Sequence, residues 1–243
     1  MKVLREQFRI KSYETDIHAC MKPYSFMLNA QEMANRHADY LGFGYRDLEA
    51  KGIMWVLSRV KVVFNRIPEW NEEVIMETWH KGTVKLFGIR DFKMDSVTGE
   101  SLAVVTSSWL ILNNETRRIQ RIDQYLAADD PSINRINAIE TPAAKLVPPG
   151  NMKYAKKHRV EFSDIDINAH TNNAKYLEWA FDCIDQKVLA TMKVKEFEIN
   201  FNSESRIGEE IDLFINDSRN KVFVEGKRGE TTVFQTEVTY NKI

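Results

Sequence analysis

The stretch Asp164-Ile165-Asp166-Ile167-Asn168-Ala169-His170-Thr171-Asn172-Asn173 and, further on, Glu204-Ser205-Arg206 hold the side chains best suited to chemistry. A histidine and a carboxylate sharing one water make a general base, an effect usually worth roughly 10² to 10⁴ in rate. Asn168 could orient the histidine or a carbonyl. Polar and apolar residues alternate from Asp164 to His170, so an extended chain would turn Asp164, Asp166, Asn168 and His170 to one side. It would also leave Asp166 and His170 roughly 13 Å apart, so cooperation between them requires the loop to curl. A helix predicted to follow would offer free N–H groups at Thr171 to Ala174 to an oxyanion. Each residue also has a plainer reading: Asp and Asn before a helix serve turns and caps, and Glu204 beside Arg206 would make a surface ion pair.

The elements that must position these residues occur twice. An offset of 150 residues lays Arg9-Ile10 on Arg159-Val160, Asp16-Ile17-His18-Ala19-Cys20 on Asp166-Ile167-Asn168-Ala169-His170, and Phe26, Met27 and Ala30 on Tyr176, Leu177 and Ala180. An offset of 137 then lays Phe64-Asn65 on Phe201-Asn202 and Glu72-Glu73-Val74 on Glu209-Glu210-Ile211. The first half therefore carries extra residues between helix and sheet. Strand patterns run over 55–64, 74–79, 86–94 and 102–112, matched by 196–202, 210–216, 221–226 and 232–240, with turns at Val97 to Glu100 and Arg228 to Glu230. A helix with one apolar stripe beside antiparallel strands must lie on their sheet, so the fold class is α+β, twice over. Residues 1–128 form the first half, 129–150 a Pro-rich linker and 151–243 the second half.

Duplication also supplies an internal control, because a residue found in one half only is not demanded by the shared fold. Asn168 faces His18, His170 faces Cys20 and Glu204 faces Ile67. The polar grouping is confined to the second half.

Composition excludes several other chemistries. The formal net charge is −1, so no global field draws nucleic acid or an anionic membrane. The cysteines, Cys20 and Cys183, lack metal or thioredoxin spacing, and Cys183 reads as a small buried hydrophobe. No GxSxG, HExxH or Walker motif occurs. Without a secretory h-region or a long apolar run, the expectation is a cytoplasmic protein with no membrane insertion. His37, His80 and His158 have no partners visible in the sequence and are read as structural.

The segment Asp164 to Trp179 resembles the signature of plant and bacterial acyl-acyl-carrier-protein thioesterases. Met54-Trp55-Val56-Leu57-Ser58-Arg59, Arg66-Ile67-Pro68-Glu69-Trp70, Thr98-Gly99-Glu100 and Thr116-Arg117-Arg118 are similar to the same family, so the resemblance covers nearly the whole chain. It implies a tandem hotdog fold, hydrolysis of acyl-carrier-protein thioesters, and no metal or organic cofactor. Carried over, the catalytic residues are Asp166, Asn168, His170 and Glu204. Ser205 stands where members often have Cys, so water is the expected nucleophile, activated by Glu204 and His170, with Asp166 holding or polarising His170. The resemblance also places the acyl chain in the first half, with Met27, Met33, Met54 and Phe64 as candidates for setting its length. Acyl carrier protein is the expected partner, with Arg117, Arg118 and Arg121, or Lys153, Lys156, Lys157 and Arg159, as landing areas. Both monomer and homodimer fit. An acyl-coenzyme-A thioesterase, an enoyl-thioester hydratase and a non-catalytic acyl-binding module are the rival readings.

Overall fold

The computed structural model describes residues 2–125 and 130–242, and the chain divides into two compact units, Met1–Ala143 and Ala144–Ile243. The expected boundary between residues 128 and 129 lies outside the described residues.

In the first unit the elements are β1 (Leu4–Arg9), α1 (Pro23–Tyr40), α2 (Tyr45–Glu49), β2 (Ile53–Phe64), β3 (Glu73–Val84), β4 (Phe87–Ser96), β5 (Ser101–Asn113) and β6 (Ile119–Gln120). The second contains β7 (Lys153–Arg159), α3 (Asn173–Phe181), α4 (Gln186–Leu189), β8 (Met192–Phe201), β9 (Glu210–Ser218), β10 (Lys221–Arg228) and β11 (Thr231–Lys242). The pairing is antiparallel throughout, in the order β1-β3-β4-β5-β2 with β6 beside β5, and again β7-β9-β10-β11-β8. Strand for strand the second order repeats the first. Phe64 and Phe201 both end their strands, as do Arg9 and Arg159, so the two sequence offsets correspond to real structural equivalence. The α+β expectation of one long helix against an antiparallel sheet is met in each unit.

Pro23 opens α1 at a position where its missing N–H costs nothing. Phe26, Met27, Ala30, Met33, Ala34 and His37 then recur at helical spacing and are buried. On α3 the buried face is Tyr176, Leu177 and Ala180, with Tyr176 against Phe234 of β11 at 5.1 Å between ring centroids. Ile184, which continues the helical spacing of Tyr176 and Ala180, is buried but lies beyond the helix end at Phe181. The extra residues of the first half lengthen α1, which has 18 residues where α3 has 9. Strands β1 and β7, which open each unit, fell outside the sequence patterns because both are short and their residues alternate between buried or half-buried and exposed without a continuous apolar run.

Residues 131–150 form no helix or strand. Trp79 Nε1 donates to the Ile136 carbonyl at 2.9 Å and Ala138 N donates to Asp91 Oδ2 at 2.8 Å, while Leu146 N donates to Asn200 Oδ1 at 2.8 Å. The earlier part of this segment is thus tied to the first unit and the later part to the second. Among the described residues, no helix is long and apolar enough to cross a membrane.

Candidate active site

The loop from β7 to α3 does not run extended. Residues 162–164 make one 3-10 turn, Asp166 N donates to the His170 carbonyl at 2.9 Å, and Ala169 sits at φ 57°. This tight turn breaks the period of two, so the expected single polar face is not formed. Asp164 points inward, with only 4% of its surface exposed, and Ile167, expected on the opposite face, is 80% exposed.

The turn also decides what Asp166 touches. Its Oδ1 accepts from Asn168 N at 2.8 Å, the bond of an Asx turn, and no described bond joins its carboxylate to the His170 ring. Asn168 is exposed and donates from its backbone. His170 instead meets Glu204: Nε2 lies 3.1 Å from Glu204 Oε2, with side-chain exposures of 16% and 36%. Arg206 Nη2 lies 3.2 Å from the same Nε2 and 3.9 Å from Glu204 Oε1. A single ring nitrogen cannot serve both neighbours: as N–H it donates to the carboxylate, and bare it accepts from the guanidinium. The N–H form gives the ionised carboxylate a donor and avoids setting two lone pairs against each other.

Of the four N–H groups offered for an oxyanion, three are spent within the protein. Thr171 N donates to the Ser205 carbonyl at 2.9 Å, Asn172 N to the Asp164 carbonyl at 2.8 Å and Ala174 N to Asn172 Oδ1 at 2.9 Å. Of these four, only Asn173 N has no described protein acceptor. Asn172 is the N-cap and takes up Ala174 N, while the loop backbone of Asp164 and Ser205 takes up the other two.

Ser205 is fully buried. Its Oγ is 2.7 Å from Thr171 Oγ1 and 2.9 Å from Tyr176 Oη, and its N donates to that same Tyr176 oxygen at 3.0 Å. These contacts tie the β8–β9 loop to the start of α3. Both described neighbours of the Ser205 hydroxyl are hydroxyls, neither of them a base. Burial pushes the Cys183 thiol up to about 11, which leaves it protonated and unreactive, and Sγ donates to the Trp179 carbonyl at 3.2 Å.

Two groupings were missed by reading the sequence. His158 stacks on Trp179, with ring centroids 4.0 Å apart, and its Nε2 is 2.9 Å from Asp164 Oδ2. In the first unit Arg90 Nη1 donates to His37 Nδ1 at 2.9 Å. Packing of α3 and α1 on their sheets brings these residues together, and no local spacing signals it. The first unit also holds a cleft of about 60 Å³ with apolar walls from Ala34, Ala38, Leu41, Phe43, Trp55 and Trp109. Met27, Met33, Met54 and Phe64 do not line it. Helical spacing of Ala34, Ala38 and Leu41 was the available signal.

Neither candidate landing area is a bare cationic patch. Lys157 pairs with Glu210 at 2.8 Å, Lys156 with Asp182 at 3.6 Å and Arg159 with Glu161 at 4.0 Å, while Arg121 pairs with Asp123. Arg117 Nη1 reaches Met54 Sδ at 3.2 Å.

Comparison with known proteins adds an independent line. Residues 1–129 match the family model for the acyl-ACP thioesterase N-terminal domain, and residues 150–241 match that for the C-terminal domain. The chain is 27% identical to oleoyl-acyl carrier protein thioesterase 2 of Arabidopsis thaliana over 96% of its own length and 69% of the relative's. It is 28% identical to a palmitoyl-acyl carrier protein thioesterase of the same plant, spanning 83% of itself and about half, 52%, of that protein. A solved acyl-ACP thioesterase from Bacteroides thetaiotaomicron superposes with a TM-score of 0.87 at 25% identity, over 99% of this chain and 98% of the other. The 12:0-ACP thioesterase from Umbellularia californica shares the fold, with a TM-score of 0.90 at 23% identity over 100% and 98% of the two chains.

Proposed function

The chain belongs to the acyl-ACP thioesterase family of thioester hydrolases, and we propose that it releases free fatty acid from acyl carrier protein by water attack at a site built on His170 and Glu204. The observation that carries the site is the 3.1 Å contact between His170 Nε2 and Glu204 Oε2, a pair the duplicated first unit lacks.

In this mechanism Glu204 takes a proton from water as the oxygen attacks the thioester carbonyl, and His170, donating from Nε2, holds the carboxylate in place. The oxyanion of the tetrahedral intermediate accepts from the Asn173 N–H and from the exposed Asn168 amide. Collapse breaks the C–S bond, and the departing sulfur receives the proton from Glu204. Asp166 supports this arrangement from behind by holding the turn. The hydrogen bonds around Ser205 favour water over the serine as nucleophile. Acyl carrier protein is the partner in this reading and the cytoplasm its compartment. The first unit holds the acyl chain, residues 1–128 and 151–243 act as the two halves with 129–150 between them, and the chain acts as a monomer or homodimer.

The test is release of fatty acid from matched acyl-carrier-protein and acyl-coenzyme-A thioesters by the wild type, His170→Ala, Glu204→Gln and Ser205→Ala. Activity that collapses in the first two and persists in Ser205→Ala is the expected result. Undiminished turnover in both His170→Ala and Glu204→Gln would sink the site, and preference for coenzyme A would replace the carrier.

A further inference from the structure

The cleft of the first unit has a polar wall that the hydrolytic site does not use. His80 on β3 and Arg90 on β4 are register partners, so their side chains share one face of the sheet, and both line the cleft together with Asn35. Arg90 is buried, and its two described bonds, to His37 Nδ1 and to Thr78 Oγ1 at 3.2 Å, both leave from Nη1. No carboxylate is among its described partners, and its N–H groups on Nε and Nη2 have no described protein acceptor. Burial lowers the guanidinium to about 10, which leaves it charged at neutral pH.

His80 presents the complementary deficit. It is 8% exposed, its ring donates to the Ile89 carbonyl, and its Nε2 is buried without a hydrogen-bond partner. Since Nε2 has no partner, the bond to Ile89 comes from Nδ1, and in the neutral ring that leaves Nε2 as a bare acceptor. Burial, reinforced by the Arg90 charge, holds the ring neutral. Buried polar groups are nearly always paired, so the unpartnered His80 Nε2 beside a guanidinium that lines the same cleft points to an absent partner.

Few chemical groups answer both. A methylene answers neither. An oxo group would serve Arg90 alone, and a carboxylate would set its lone pairs against Nε2. A hydroxyl, that of water or that of a bound molecule, accepts from the guanidinium and donates to the imidazole. We propose that this cleft selects an acyl chain bearing a hydroxyl group, whose oxygen accepts from Arg90 and whose proton goes to His80 Nε2. As a statement about substrate the proposal rests on the thioesterase reading; as a statement about binding it requires no turnover.

The experiment is calorimetric titration of the intact protein with tetradecanoic acid and with its hydroxylated isomers, the hydroxyl moved along the chain. At least one isomer should bind about tenfold or more tightly than the parent acid, because the unmodified chain leaves both polar groups unpaired. That advantage should vanish in His80→Phe and in Arg90→Met. Should Arg90→Met fail to fold, the wild-type series and His80→Phe still decide. Equal affinity across the isomers, or an advantage that survives both substitutions, overturns the proposal. Hydrolysis of the matching acyl-carrier-protein thioesters is followed in parallel. Tight hydroxyl-dependent binding without hydrolysis removes the thioesterase reading and keeps the subsite; hydrolysis without hydroxyl preference removes the subsite alone.

Discussion

The turns at residues 16–21 and 166–171 share one backbone and differ in their side chains. In both, the Asp nitrogen donates to the carbonyl four residues on, at 2.8 Å from Asp16 to Cys20 and 2.9 Å from Asp166 to His170. In both, the Asp Oδ1 accepts from the residue two positions later, at 2.9 Å from His18 N and 2.8 Å from Asn168 N. Ala19 and Ala169 take φ 58° and 57°. Met21 N donates to the Pro68 carbonyl at 2.8 Å as Thr171 N does to Ser205 at 2.9 Å. Upstream, the buried carboxylates of Glu14 and Asp164 each accept from the backbone N–H three residues before, and then from a side chain of the helix, Asn29 Nδ2 or Trp179 Nε1. On this common frame the first unit sets half-buried Cys20 and buried Ile67 where the second sets His170 and Glu204. The comparison teaches that the turns held by Asp16 and Asp166, and the inward carboxylates of Glu14 and Asp164, are common to both units, and that His170, Glu204 and Asn168 are what the second unit adds.

The largest effect should come from exchanging what differs. His170→Ala and Glu204→Gln should each lower kcat/KM by roughly 10² to 10⁴ with little change in Tm, whereas Cys20→Ala should leave activity within about twofold. Comparable losses at Cys20 and His170 would break the comparison.

Hidden and open histidines should separate next. Burial, with the Arg90 charge behind it and His37 acting in the same direction, lowers His80 from 6.5 to about 4, against the weaker opposing pulls of the Ile89 carbonyl and Asp130. The unfolded chain therefore binds this proton between those two values while the folded protein does not. Stability is lost as pH falls through that window, on the order of 3 kcal/mol in total. Urea unfolding from pH 7 to 4 should show the loss in the wild type and a flatter profile in His80→Phe. Parallel profiles would place the acid sensitivity elsewhere.

Sharing of the frame predicts equality. Asp16→Ala and Asp166→Ala should each cost about 1 kcal/mol in denaturant unfolding. Asp166→Asn, whose amide oxygen still accepts from Asn168 N, should retain most of the activity. A loss in Asp166→Asn as large as in His170→Ala would mean that the charge itself takes part in catalysis.

The smallest change is expected from the two alanines in the left-handed region. Ala19→Gly and Ala169→Gly should each raise stability by about 0.5 kcal/mol, relief of backbone strain exceeding the added entropy of glycine. A destabilisation at either position in thermal unfolding would show that the methyl group packs there.

Much of this architecture is legible in the chain because the signals are periodic and local. The eight strands read from alternation end within a few residues of where they lie, and the Phe64 and Phe201 equivalence survives intact. Asp166 illustrates where such reading stops. Its place before a helix is compatible with a turn or with chemistry, and the turn itself becomes visible only in the hydrogen bond to Asn168 N.

Two α+β repeats and the confinement of His170 and Glu204 to the second were determined by the sequence alone, since repetition and its exceptions are visible without coordinates. Tertiary structure decided which polar groups meet. Glu204 reaches His170, Asp164 turns inward to His158 and Trp179, and Arg90 lies against His37 and beside His80, whose Nε2 has no partner. The physical reason is that tight turns and the packing of helices on sheets join residues distant along the chain, and the energies that select those contacts leave no local period to read.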